Sequence, residues 1–173
     1  MKIPLRELRG WGERLARLGA QFVRTVRQTD TYFMVDRGRL KLRETGGGEA
    51  ELIFYDRDES KGARWSDYHV VPVPDAGSVK LVLSKALGTK VTVEKRRDLY
   101  LFENARIHID RVARLGDFLE FEVMVVDTAG GAVQLLEFLL ENLSLKGIEP
   151  IKVSYCDLLL RNAGGVSVPP TTT

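Results

Sequence analysis

The chain has 173 residues, 44% hydrophobic and 29% charged, with 26 Lys and Arg against 24 Asp and Glu. That length suits one domain, and the near balance of charge excludes a whole-molecule attraction to nucleic acid or an anionic membrane, so any anion must be held by local arrangement. A lone cysteine, Cys156, excludes an internal disulfide and fits a reducing, cytoplasmic setting, while the absence of a signal-peptide layout or an apolar run of roughly 18 residues argues against membrane association.

Residues 5–18 read as an amphipathic helix. Leu5, Leu8, Trp11, Leu15 and Leu18 recur at helical spacing, with Arg6, Arg9, Glu13, Arg14 and Arg17 mostly opposite, and Gly19 suits the C-cap. A solvated face accounts for these arginines. Ala20 to Val35 reads as strand, although Asp30 in its polar middle fits either a turn or a site. Gly38 to Glu44 alternates strictly, with Arg39, Lys41 and Arg43 on one face and Leu40 and Leu42 on the other. Gly46-Gly47-Gly48 turns the chain, and Glu51 to Arg57 returns as the hairpin partner. These glycines lack the strand–loop–helix setting and the Lys-Ser/Thr of a phosphate loop. Residues 58–65 read as an exposed loop.

Tyr68 to Val73 reads as a strand, and Ser78 to Leu87 as a short helix ended by Gly88. Thr89 to Glu103 is a long strand with Val91, Val93, Lys95 and Arg97 on one face. Arg106 to Val123 gives two strands joined at Leu115-Gly116-Asp117. On the first, Arg106, His108 and Asp110 lie opposite Ile107 and Ile109; on the second, Glu120 and Glu122 lie opposite Leu119, Phe121 and Val123. Ala129 to Leu145 reads as a helix with Val133, Leu136, Leu139, Leu140 and Leu143 on its buried side. Ile151 to Leu160 closes a domain over residues 1–162, and 163–173 is expected to be a disordered tail.

Two readings account for the charged strand faces. One is an antiparallel sheet with a solvated side. The other is a barrel whose lumen gathers Arg and Lys beside paired carboxylates, a chemistry that suits a polyanion carried with a divalent metal. Alternation by itself more often means the first; stacked like charges on single strands, which repel unless facing opposite charges or a ligand offset them, pull toward the second.

The pieces Gln28-x-Asp30-x-Tyr32-Phe33, Arg39-x-Lys41-x-Arg43, Glu51-Leu-Ile-x-Tyr55-x-Arg57, Lys95-x-Arg97, His108-x-Asp110-x-Val112-x-x-Leu115-Gly116-x-Phe118-x-Glu120-x-Glu122 and Ser154-Tyr155-x-Asp157 occur in this order. Together they resemble the CYTH superfamily, the triphosphate tunnel enzymes that include class IV adenylate cyclases and thiamine triphosphatases. The resemblance implies an α+β fold, a closed antiparallel eight-stranded barrel with flanking helices. It implies a small-molecule triphosphate as partner, with no nucleic acid or membrane; dimers occur in the class IV branch, which leaves a homodimer open. Lys2, Arg39, Lys41, Arg57, Lys95 and Arg97 would grip phosphates, Glu120 and Glu122 would hold Mg²⁺ or Mn²⁺, and Asp110 would act with Lys95 and Arg97 at the reacting end.

The implied reaction is conversion of ATP to cyclic AMP and pyrophosphate, or hydrolysis of thiamine triphosphate, tripolyphosphate or nucleoside triphosphates. The family opens with Glu-x-Glu-x-Lys. Here Lys2 takes the place of that lysine and both glutamates are missing, through a truncated start or a genuine loss. The alternative function is therefore a non-catalytic triphosphate- or polyphosphate-binding module. His108 and Cys156 read as structural, since neither has metal-ligand neighbours at a recognisable spacing.

Overall fold

A computed structural model describes residues 1–56, 67–125 and 129–163. In chain order its elements are β1 (Lys2–Leu5), α1 (Trp11–Leu18), β2 (Gln21–Phe33), β3 (Arg39–Thr45), β4 (Ala50–Asp56), β5 (Asp67–Pro72), α2 (Ala76–Leu87), β6 (Thr89–Phe102), β7 (Ala105–Val112), β8 (Gly116–Val123), α3 (Ala129–Asn142) and α4 (Tyr155–Ala163). The fold is α+β, with one eight-stranded antiparallel sheet in the order β1-β8-β7-β6-β2-β3-β4-β5. β1 and β5 end that order. Among the described residues the pairings do not close it into the barrel that the resemblance implies.

Two expectations need correction. The helix expected over 5–18 is a strand, a turn and a shorter helix. Lys2–Leu5 pairs with Glu120–Asp117 of β8, and Pro4, which lacks a ladder donor, is tolerated because β1 is an end strand. Gly10, at φ 83°, then turns the chain before Trp11. At the other end, Ala163, expected to open the tail, belongs to α4. Residues 164–173, the 58–65 loop and Arg57 lie outside the described residues.

The chain divides into two compact units, residues 1–26 with 95–154 and residues 27–94 with 155–173. In the first, β1, β7 and β8 point Ile3, Ile107, Ile109, Leu119 and Phe121 to one side, where Trp11 and Leu15 of α1 and Leu135, Leu136 and Leu139 of α3 pack on them. Val133, expected on the buried side of α3, is half exposed. Because side chains alternate along a strand, burying those five residues forces Lys2, His108, Asp110, Glu120 and Glu122 onto the opposite face. In the second unit, Phe33, Leu42 and Ala50 form the core, with Val79 and Leu83 of α2 against it. Asp75 caps α2 by accepting from the Ser78 amide at 3.0 Å.

Candidate active site

Register builds the charged face of the first unit. Across β1, β8 and β7, Lys2 pairs with Glu120 and Glu120 with His108; across β6 and β7, Arg97 pairs with Asp110. Asp110 is fully buried and receives both arms of Arg97, Nε to Oδ1 at 2.7 Å and Nη2 to Oδ2 at 2.6 Å. The same Nη2 donates to Glu120 Oε2 at 2.6 Å. Lys95, one pleat along β6, and Lys2 are also buried, and the Lys2 ammonium donates to the Val153 carbonyl at 3.1 Å.

Burial alone would raise the pKa of both acidic groups. For Asp110 the hydrogen bonds and charge of Arg97, with the charge of Lys95, outweigh burial and hold the carboxyl below its ordinary range. For Glu120 the charges of Arg97, Lys2 and Lys95 act in the same direction, and its carboxyl is held further below that range. Both are therefore anionic, and the cations around them are placed to meet anionic oxygen.

One edge of this cluster offers metal donors. Ligand atoms of His108, Glu120 and Glu122 lie within 4.8 Å of one another. Cis donors of an octahedral ion with bonds near 2.1 Å stand about 3 Å apart, a contraction that side-chain rotation can supply. Two carboxylates and a buried imidazole nitrogen therefore fit a divalent cation. Glu120 and Glu122 were expected here; His108, expected to be structural, joins them. The signal that could have found it was its alternation partner, since His108 and Asp110 share a face that Glu120 joins once β7 pairs with β8.

The second unit carries its own charged group. Asp30 is 2% exposed and accepts Lys41 Nζ at 2.9 Å and both arms of Arg43, Nε at 2.8 Å and Nη2 at 2.9 Å. Its position opposite Arg43 in the β2–β3 register makes this possible. The turn reading of Asp30 is thereby excluded. Lys41 Nζ lies 5.4 Å and 5.8 Å from the ring centres of Tyr32 and Tyr55, so the ammonium is flanked by aromatic faces. Burial, with Tyr55 and Asp30 adding to it, pushes the Tyr32 phenol well up. Arg39 pairs with Asp157 of α4 at 2.9 Å and 3.2 Å. Burial opposes its charge, but Tyr55 and Asp157 favour it more, and its pKa is raised.

The structure thus gathers Lys2, Lys95, Arg97, Asp110, Glu120 and Glu122 in one unit and Arg39 and Lys41 in the other. Asp30, which the sequence left open between a turn and a site, completes these groups with Arg43, Asp157 and His108, to which the sequence gave no site role. Cys156 is buried, and burial with the neighbouring Asp157 raises its thiol pKa, which suits a structural role. Among the described residues no helix is long and apolar enough to cross a membrane.

Solved structures share the fold at low identity. The PH1012 protein of Pyrococcus horikoshii is 22% identical, with a TM-score of 0.78 over 91% of this chain and 96% of its own. A conserved hypothetical protein of Pyrococcus furiosus is 22% identical, with a TM-score of 0.79 and the same coverages. A structure from Vibrio parahaemolyticus, named as a proposed adenylate cyclase, is 17% identical with a TM-score of 0.72 over 92% of this chain and 95% of its own. No curated protein matches the sequence. The CYTH domain profile spans residues 2–155, which takes in most of the chain and every charged residue described above except Asp157, and the chain therefore belongs to the CYTH family.

Proposed function

We propose that this protein is a divalent-metal-dependent enzyme acting on a triphosphate, either cyclising ATP or hydrolysing an organic or inorganic triphosphate. The observation that carries this reading is the meeting of Lys2, Lys95 and Arg97 with Glu120, Glu122 and His108 on one face of one unit. Cations that would repel one another are held beside carboxylates, and a phosphate chain brought in with a metal satisfies both sets. Bound to Glu120 and Glu122, Mg²⁺ or Mn²⁺ would neutralise charge developing on phosphate oxygens.

The protein's own groups do the positioning. Lys2 and Lys95 present ammonium donors to phosphate oxygens, and Arg97 presents a planar guanidinium. Asp110 has both oxygens on Arg97, so its role is to orient that guanidinium rather than to take a proton. Arg39 and Lys41 are further phosphate ligands by their match to the family motif. In a cyclase the substrate's 3′-hydroxyl attacks and pyrophosphate leaves; in a phosphohydrolase water attacks the terminal phosphorus.

Incubation with ATP, tripolyphosphate or thiamine triphosphate and Mn²⁺ or Mg²⁺, with products resolved chromatographically, tests the proposal. Cyclic AMP with pyrophosphate identifies a cyclase, and orthophosphate release identifies a hydrolase. Thermal stabilisation by tripolyphosphate with no turnover of any of the three would replace the enzyme by the binding module.

A further inference from the structure

We propose that His108 is a direct metal ligand alongside Glu120 and Glu122, giving a mixed nitrogen–oxygen site that takes Mn²⁺, Co²⁺ or Zn²⁺ in preference to Mg²⁺. The inference deepens the metal-dependent reading above and rests on it. His108 is 4% exposed, in the middle of β7, yet its Nδ1 makes no hydrogen bond. It stands 3.7 Å from Glu120 Oε2 and 3.9 Å from Glu122 Oε1, near enough to feel both carboxylates and too far to donate to either. Buried polar nitrogens are ordinarily satisfied, and one aimed at two carboxylates without bonding either has the arrangement of a ligand set.

The backbone fixes this convergence. His108 is directly opposite Glu120 in the β7–β8 ladder, and Glu122 lies one pleat further along the same face. Glu120 also accepts from Arg97, but a carboxylate offers about four lone-pair positions, enough for a cation as well. Imidazole nitrogen is accepted by first-row transition ions, Zn²⁺ and Co²⁺ more strongly than Mn²⁺, whereas Mg²⁺ prefers an all-oxygen shell and releases its water reluctantly. One nitrogen among the donors therefore shifts selectivity away from Mg²⁺.

The test needs no substrate. Metal-free protein is titrated calorimetrically with Mg²⁺, Mn²⁺ and Zn²⁺, and the Mn²⁺ form is examined by electron spin-echo spectroscopy for coupling to a ring nitrogen. Nitrogen coupling is expected in the native protein. His108→Ala should abolish it and weaken Zn²⁺ and Mn²⁺ by at least about tenfold while changing Mg²⁺ little. If His108→Ala does not fold by circular dichroism, the native spectrum decides alone. Mn²⁺ bound without nitrogen coupling overturns the inference and leaves the proposed enzyme standing. No divalent binding at all overturns both.

Discussion

Arg97 and Asp110 face each other across β6 and β7 in a two-point ion pair, at 2.7 Å and 2.6 Å, with the carboxylate wholly buried and the arginine side chain 12% exposed. A buried pair of this kind contributes little over a well-packed apolar pair, but removing one partner strands the other's charge. Arg97→Ala, which strands Asp110 and takes a donor from Glu120, should destabilise by about 3–5 kcal/mol in urea unfolding, and Asp110→Ala, which leaves Arg97 on Glu120, by less. Single substitutions costing under about 1 kcal/mol would show that the charges are not desolvated as described.

Asp30 answers two cations at once, so its loss should be felt at both. Asp30→Ala leaves Lys41 and Arg43 without their shared carboxylate and should cost about 3 kcal/mol or more. Arg43→Ala leaves Lys41 on Asp30 and should cost less. Equal losses from the two variants would mean that Lys41 does not use the carboxylate.

Lys95 tests phosphate binding apart from the Arg97–Asp110 ion pair. Lys95→Gln should weaken tripolyphosphate by about tenfold, the equivalent of about 1.4 kcal/mol, as expected for losing a charge-assisted contact. Arg17→Ala, an exposed cation in the last turn of α1, should leave affinity within about twofold. Calorimetric titration that shows equal losses would disperse the site over the surface.

Packing under the charged face should matter as much as the charges. Leu139 of α3 is fully buried in the core beneath β7 and β8. Leu139→Ala should destabilise by about 2–5 kcal/mol. The loss of unfolding free energy, measured with the protein's denaturant slope unchanged, checks this. A change below about 1 kcal/mol would mean that α3 is not seated on the sheet.

Much of the site was legible because strand alternation is a local property. The charges of Arg39-x-Lys41-x-Arg43 and Glu120-x-Glu122 share faces in any strand, and the leucines, isoleucines and phenylalanine between them name the buried side. Gly19, Gly48 and Gly88 adopt the positive φ that their turn positions require. By contrast, β1 is a four-residue strand, too short to show a period, and it exists through pairing with β8 more than a hundred residues away. Nothing local distinguishes it from the start of a helix.

By itself, then, the sequence determined which side chains leave the sheet together, where the chain turns, and which family the ordered motifs resemble. Which charges meet was left to strand pairing. Asp30 became the anchor of Lys41 and Arg43 because β2 and β3 align it there. Arg97 became shared between Asp110 and Glu120, and His108 Nδ1 was brought to Glu120 and Glu122, because register joins residues that spacing along the chain does not relate. Alternation is written in neighbouring residues. Register is set by the burial of whole faces, since a slip of one residue would turn every one of these charges into the core.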